Sequence, residues 1–232
     1  MSTNSFALET SEAVDDYLKA ILELGGAEDS RVTTNALADR LGVRTPSVTG
    51  MLQKLASQHP ALVRYERYRG VRLTPNGKRR AWELVRHHRL IELFLHDVLK
   101  YSWDEVHDEA ERLEHFISER FEDRVAAILG DPEIDPHGHA IPHKHEAGLY
   151  RAEVPLAEWP LHTPAVISSV SDRNAVALRE LERLGLMPGV ALTVEQRNPG
   201  ASAVRVQARS GPVRLGNDLA GYIQVAATDR RP

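Results

Sequence analysis

Two stretches rich in histidine and carboxylate could bind a divalent metal ion. Within residues 106–115, four such side chains follow one another at i, i+4, i+7 and i+8: His107, Glu111, Glu114 and His115. At 3.6 residues per turn, all four would lie on one face of a helix. His88 and Glu92 are also one helical turn apart. Two facing helices could therefore offer all six side chains to one pocket, supplemented by Asp15 or Asp16.

The donor atoms of this face are nitrogen and oxygen only. The chain contains no cysteine, which excludes thiolate metal ligands, disulfides and cysteine nucleophiles. Three imidazoles and three carboxylates suit hard to borderline cations such as Mn²⁺ or Fe²⁺. One isolated pair on a helix is more often a solvated surface, whereas two coordinated pairs favour a metal site.

The same pattern argues against an enzyme. A di-iron four-helix protein needs two Glu-x-x-His motifs, but Glu111 is followed at that spacing by Glu114, and no second copy exists. The His-Glu-x-x-His pattern of zinc proteases is absent, as are a Gly-rich phosphate loop and a serine elbow. We predict no catalytic residues, and a metal-storage or di-iron protein stays an alternative that metal content per chain would test.

Charge divides the chain into a basic and an acidic stretch. Residues 31–89 hold thirteen Lys and Arg against three acids, and residues 90–130 hold eleven acids against four basic residues. The overall formal charge of −4 conceals this asymmetry. The order favours a polyanionic partner for the first stretch and a cation for the second.

The basic stretch has the pattern of a winged helix-turn-helix. Apolar spacing predicts helices over 12–25 and 35–41, a turn at Gly42, and a third helix beginning at Pro46 with Thr45 as its cap. Two short strands, 62–66 and 70–73, flank a basic turn. Double-stranded DNA is therefore the predicted partner of the third helix and the wing. The residues predicted to contact it are Arg44, Thr45, Pro46, Ser47, Thr49, Gln53, Lys54, Arg67 and Arg69.

The rest of the chain predicts further helices and then strands. Helices are expected from Pro75 to about Val98 and from Ser102 to about Leu129. A Pro/Gly/His-rich connection follows, and its His137, His139, His143 and His145 are predicted to be solvated. Short β-branched segments over 165–170, 192–196, 204–208, 213–215 and 223–226, with one helix over 173–184, suggest a small, partly open barrel.

Several segments resemble the diphtheria toxin repressor family, and within it the manganese-type regulators. These segments are Asp16–Lys19, Thr45–Thr49, Tyr68–Thr74, His88–Glu92 and Val106–His115. The resemblance implies an SH3-like C-terminal barrel. It also implies two metal sites: a primary site of Asp16, His88, Glu111, Glu114 and His115, and an ancillary site of Glu92 and His107 with Asp135 and Asp172 as oxygen ligands.

Departures from the family pattern point to the metal. Iron-type members carry a sulfur ligand where this chain has Glu111, and Met where it has Asp16, so the resemblance favours Mn²⁺, with Fe²⁺ as the alternative. Short manganese-type members have Glu where this chain has Lys19.

The sequence thus predicts a mainly α protein with a β domain: a winged helix (1–74), a helical dimerisation and metal domain (75–150) and an SH3-like domain (151–232). We expect a cytoplasmic, homodimeric repressor of metal-uptake genes that binds a palindromic operator and no membrane. The alternatives are an iron-responsive regulator of the same family and a winged-helix regulator that senses a small organic ligand.

Overall fold

The structure is a computed structural model that describes residues 12–144, 153–198 and 203–228. The chain forms two compact units. The first comprises Met1–His87 and Pro142–Tyr150, and the second comprises His88–Ile141 and Arg151–Pro232. In the described part of the chain, no helix combines the length and the apolar character needed to cross a membrane. His145, named in the sequence predictions, lies outside the described residues.

The first unit is a winged helix-turn-helix. Its elements are α1 (Glu12–Gly25), α2 (Thr34–Leu41), α3 (Thr45–Ser57), β1 (Val63–Glu66), β2 (Gly70–Leu73) and the first part of α4 (Pro75–Asp97). β1 and β2 form an antiparallel hairpin. One apolar core joins these elements because each helix buries a single stripe; its fully buried members include Leu18, Leu37, Val48, Leu52, Leu55 and Val71.

Local capping fixes the helix-turn-helix. The hydroxyl of Thr33 accepts a hydrogen bond from the backbone nitrogen of Ala36 at 3.1 Å, which starts α2. Gly42, with φ of 65°, ends α2 in a left-handed conformation that glycine adopts without strain. The prediction that Thr45 caps α3 is wrong by one residue. Arg44 occupies the cap position with no side-chain hydrogen bond, and Pro46 stabilises the first turn through its fixed φ.

Two helices replace the single helix predicted over 102–129. They are α5 (Val106–Leu113) and α6 (Glu119–Leu129). Ser118 lies between them in an extended conformation, and its hydroxyl accepts a hydrogen bond from the backbone nitrogen of Phe121 at 3.3 Å. A serine that caps a new helix end competes with continuation of the preceding helix, and this explains the break.

The β domain of the second unit is the predicted SH3-like fold. Its elements are β3 (Val154–Pro155), β4 (Pro164–Val170), α7 (Ala175–Arg183), β5 (Ala191–Asn198), β6 (Ala203–Ala208), β7 (Gly211–Gly216), α8 (Asn217–Ala220) and β8 (Ile223–Ala227). The antiparallel sheet has the order β3-β8-β4-β5-β6-β7. Alternate strand residues fill its core, as period-two patterning requires. Among the elements described in this domain, the sequence prediction missed the two-residue β3 and the four-residue α8.

Candidate metal centre and DNA-binding surface

His88 lies at the centre of the histidine–carboxylate cluster in the second unit. It is buried on α4, and its two ring nitrogens face different partners. Nδ1 lies 2.5 Å from Oε2 of Glu114, and Nε2 lies 3.0 Å from Oε1 of Glu92, one helical turn further along α4. One imidazole therefore joins two sets of possible ligands.

The first set, called here the four-residue group, consists of His88, Glu92, His107 and Asp172. One ligand atom from each lies within 4.8 Å of all the others. Nδ1 of His107 is 3.1 Å from Nε2 of His88 and 3.3 Å from Oε1 of Glu92. Oδ2 of Asp172, which follows β4, lies 3.5 Å from the same His107 nitrogen. Nitrogen and oxygen atoms from α4, α5 and the β domain therefore converge on one point.

The second set, called the helix-end group, consists of His88, Glu111 and Glu114, whose ligand atoms also lie within 4.8 Å of one another. Glu114 is buried and caps the carboxyl end of α5. Nε2 of His115, in the turn that follows, lies 3.8 Å from Oε1 of Glu114. The side chains predicted to share one helical face therefore approach one another although α5 ends at Leu113.

The third set, the loop group, consists of Glu92, Asp135 and His137. Its members come from α4 and the connection after α6. The prediction that His137 is solvated is wrong, because its side chain is fully buried, 3.6 Å from Oε1 of Glu92. His139 is half-buried, and only His143, among the predicted loop histidines that the structure describes, is exposed.

Asp135 shapes the turn that carries His137. Its Oδ1 accepts hydrogen bonds from the backbone nitrogens of His137 and His139 at 2.8 and 2.9 Å. Gly138, with φ of 90°, brings this turn against β4, where a Cβ would lie 2.2 Å from the carbonyl oxygen of Ser168. The Asp-Pro-His-Gly run was the signal available in the sequence, because Asp and Gly favour tight turns. Periodicity could not show which side chain the turn would bury.

The described residues fit a metal ion. Nε2 of His137 donates to the carbonyl oxygen of Trp103 at 3.0 Å, which leaves Nδ1 as the atom that faces the cluster. A backbone carbonyl commonly orients a metal-binding histidine in this way. Nδ1 of His137 and Oε2 of Glu92 are both buried without a hydrogen-bond partner among the described residues. Buried polar atoms are normally satisfied, and a cation would satisfy both.

The carboxylates and imidazoles of the cluster shift one another's pKa values. Burial raises the pKa of Glu92, but three neighbouring histidines outweigh it and hold that pKa well below the ordinary glutamate value. Burial lowers the pKa of His137, but the Glu92 carboxylate and two aspartates raise it to about 9. Burial likewise raises the pKa of Asp172, which the histidines, led by His139, lower. A divalent cation at these carboxylates would displace the imidazole protons and supply positive charge in their place.

Asp16, the remaining predicted ligand, lies half-buried on α1 in the first unit. Its role in the primary site stays a prediction. The structure brings together His88, Glu111 and Glu114 of that predicted site, with His115 beside them. Of the predicted ancillary ligands, it groups Glu92, His107 and Asp172 with His88, and it groups Asp135 with Glu92 and His137.

The helix α3 presents one buried and one exposed face. Val48, Leu52 and Leu55 are fully buried, whereas Gln53 and Lys54 are exposed. At its start, Arg44, Pro46 and Ser47 are exposed, and Thr45 and Thr49 are half-buried. The hydroxyl of Thr49 donates to the carbonyl oxygen of Thr45 at 3.2 Å. Every residue predicted to contact DNA from α3 is therefore at least partly accessible.

The wing, defined as β1, β2 and their connecting turn, carries exposed arginines. Arg64, Arg67, Arg69 and Arg72 are all exposed. Glu66 forms ion pairs with Arg31 and, at 3.5 Å, with Arg69. Positive charge remains in excess on this hairpin, as a surface that contacts phosphates requires.

A winged helix with a basic surface, together with a cluster of nitrogen and oxygen metal ligands, defines a metal-dependent DNA-binding regulator. Residues 9–71 match the family described as "Iron dependent repressor, N-terminal DNA binding domain". Residues 74–143 match its "metal binding and dimerisation domain", and residues 154–227 match the FeoA domain. The chain belongs to the family of metal-dependent repressors that includes the diphtheria toxin repressor. Members of this family regulate transcription and are not enzymes.

Relatives and solved structures agree with this assignment. The iron-dependent repressor IdeR of Mycobacterium tuberculosis (strain ATCC 25618 / H37Rv) is 29% identical over 94% of this chain and 98% of its own length. The diphtheria toxin repressor of Corynebacterium diphtheriae is 33% identical over 60% of each chain. A structure described as a manganese-dependent transcriptional repressor in complex with manganese shares 36% identity, covers 92% of this chain and 99% of that chain, and has a TM-score of 0.84. The structure of ScaR with bound Zn²⁺ shares 32% sequence identity, covers 92% of this chain and 99% of that chain, and has a TM-score of 0.78.

Proposed function

We propose that this chain is a Mn²⁺-activated repressor of metal-uptake genes that acts as a homodimer on a palindromic operator. The observation that carries the metal assignment is His88, whose two ring nitrogens join the four-residue group to the helix-end group. All the donors around it are imidazole nitrogens or carboxylate oxygens, which suit Mn²⁺. Because it regulates chromosomal DNA, we place it in the cytoplasm.

The proposed primary site consists of Asp16, His88, Glu111, Glu114 and His115, with Asp16 included on the family resemblance. The proposed ancillary site consists of Glu92, His107, Asp135 and Asp172, and the burial of His137 adds that residue as a further ligand. We retain the division into a DNA-binding part (1–74), a metal and dimerisation part (75–150) and an SH3-like part (151–232).

The central test measures DNA binding with and without metal. Duplexes selected from a random-sequence library by the Mn²⁺-loaded protein supply the operator. At fixed salt, we expect tight binding with Mn²⁺ and much weaker binding with chelator, because a metal acts through its higher affinity for the DNA-competent state. Equal affinities in the two conditions would reject metal activation. Selection of no motif by the loaded protein would reject specific DNA recognition.

Fe²⁺ is the alternative activator, favoured by the similarity to IdeR, an iron-dependent repressor. The Irving–Williams order predicts that Zn²⁺ binds more tightly than Mn²⁺, so affinity cannot supply selectivity. A difference in coordination number can supply that selectivity. Zn²⁺ is satisfied by four tetrahedral ligands and therefore needs fewer of these side chains than Mn²⁺ does. We expect Zn²⁺ to bind yet activate less than Mn²⁺.

The variant Glu111→Cys sharpens this test of the metal. A thiolate is a softer donor than a carboxylate, so we expect the variant's response to move from Mn²⁺ toward Fe²⁺ or Co²⁺. The measurement is operator affinity across a metal series under anaerobic conditions, with the wild type alongside. An unchanged metal ranking in the variant, or activation of the wild type by Zn²⁺ equal to that by Mn²⁺, contradicts the proposal.

Apolar side chains that are exposed or half-buried, on α4 and α5 and in the turn between α5 and α6, support a dimer. Phe116 is 72% exposed and Leu113 is 38% exposed, and Leu93, Phe94 and Ile117 are half-buried nearby in the chain. A second copy that covers these side chains would present two recognition helices about one DNA turn apart. A protein that remains monomeric by sedimentation with both metal and DNA, or that selects a single asymmetric half-site, contradicts this arrangement.

A further inference from the structure

The turn at the tip of the wing carries an aromatic side chain that does not belong to the hydrophobic core of the first unit. Tyr68 is 91% exposed, the largest exposure among the large hydrophobic side chains that the structure describes. It lies in the turn between β1 and β2, next to the exposed Arg67. The guanidinium carbon of Arg67 lies over the ring, 4.9 Å from its centroid. The two side chains thus form one exposed cation–aromatic pair.

The backbone conformation of Tyr68 makes its identity informative. Its φ is 66°, in the left-handed region where turns favour Gly or Asn. A bulky side chain is disfavoured there, and this one also gains little from burial. Sites at which a residue opposes both local preference and burial tend to be functional.

The base of the wing is held firmly to the first unit. Val32 and Val71 exchange two backbone hydrogen bonds, each of 2.9 Å. Gly70 packs so closely that a Cβ would lie 2.4 Å from the carbonyl oxygen of Val32. Arg31 and Arg69 pair with Glu66 at the end of β1. The turn therefore presents Arg67 and Tyr68 from a fixed support.

The charge around the tip selects the partner. Arg67 makes no ion pair with any described residue, and the carboxylate beside it on β1, that of Glu66, is already engaged by two other arginines. A free guanidinium is attracted to the strongly negative potential of a narrow, A·T-rich minor groove. Proteins that bind the minor groove read it with arginine and frequently insert apolar side chains, phenylalanine among them, between its base steps.

We propose that Arg67 and Tyr68 enter the minor groove beside the bases contacted by α3 and impose a preference for A·T pairs there. This inference rests on the proposed DNA-binding function. Tyr68 becomes a specificity-determining residue, because the ring fits between the sugar walls and places the arginine at the floor of the groove. The recognition helix α3 then determines the core of each half-site, and the tip of the wing determines its flank.

The test compares the wild type with Tyr68→Gly and Tyr68→Phe in selections from a random-sequence duplex library with Mn²⁺. Glycine suits the positive φ, so the first variant removes the ring without straining the turn. We expect the wild type and Tyr68→Phe to select A·T pairs flanking each core, and Tyr68→Gly to select the same core without that flank. On the wild-type consensus, Tyr68→Gly should bind about tenfold more weakly, as for one unrecognised base pair.

Two outcomes separate this inference from the proposed function. Identical flanks for the wild type and Tyr68→Gly, with equal affinity, overturn the role of the tip and leave metal-dependent DNA binding intact. A wild type that selects no motif with Mn²⁺ overturns the proposed function itself. A duplex pair that differs only in A·T or G·C flanks provides the second measurement: the wild type should prefer the A·T version, and Tyr68→Gly should bind both alike.

Discussion

In the first unit, all the side chains proposed to contact DNA lie between Arg44 and Arg69, on one helix and one hairpin. In the second unit, the metal cluster takes its members from α4, α5, the turn at Asp135 and the residue Asp172 after β4. The DNA surface is therefore a local product of the sequence, whereas the metal cluster exists only after distant segments have packed. Single substitutions on the DNA surface should therefore affect DNA binding independently of one another. A single substitution in the metal cluster should affect metal binding by the whole cluster.

The largest expected effect follows from His88→Ala. This change removes the imidazole that faces both Glu92 and Glu114, so we expect Mn²⁺ affinity to fall about 100-fold or more at both proposed sites. Operator binding should become independent of metal. Isothermal titration of Mn²⁺ and DNA binding provide the measurements, and His96→Ala, a more exposed histidine on the same helix, is the control. Loss at one site alone would show that the two groups are not joined through His88.

A smaller effect is expected from His137→Ala. We predict that one Mn²⁺ per chain is lost or weakened roughly 10- to 100-fold, while the helix-end group keeps its ion, because His137 contacts Glu92 and not Glu114. His143→Ala is the matched control, since His143 belongs to the same connection but is exposed. Metal content after dialysis distinguishes the two variants. Equal metal content in both would remove His137 from the ligand set.

The smallest effect concerns the DNA surface. Gln53→Ala removes an exposed side chain from α3 and should cost about 1–3 kcal/mol in operator binding, with relaxed specificity at one base pair of each half-site. Mn²⁺ binding by the free protein should not change, because the substitution lies in the locally built region. Competition with single-base operator variants reports the specificity. Uniform weakening on all duplexes would instead make Gln53 a phosphate contact.

The sequence predicted most of the elements because their signals are local. The turn predicted at Gly42 is confirmed as the end of α2, and the side chain of Thr33 caps the beginning of that helix. Short segments rich in β-branched residues identified five of the six strands described in the β domain. The pattern around His107 correctly placed possible ligands on α5, since i, i+4 spacing depends only on helical geometry.

Two kinds of feature could not be predicted from the sequence. One is a helix end set by a side-chain cap that competes with continuation of the helix, and the other is burial that depends on residues far apart in the chain. Helical periodicity continues through residues 114–118 although α5 ends at Leu113, and only the cap formed by Ser118 shows that a separate helix begins at Glu119. The burial of His137 depends on contacts with Trp103 and Glu92, which precede it by more than thirty residues in the chain. Composition marked the connection as an irregular segment, and that was correct. Composition does not show whether the side chains of such a segment are exposed or buried.

The close packing of Gly138 has a consequence for the order in which the protein assembles. The turn that carries His137 reaches its position only against the backbone of Ser168, and the carbonyl oxygen of His137 accepts a hydrogen bond from the nitrogen of Val170 at 2.9 Å. During synthesis, Glu92 and the turn at Asp135 emerge well before β4. The loop group therefore cannot reach its final arrangement until β4 has been made and has packed against this turn, and a chain that ends before β4 would lack this ligand set.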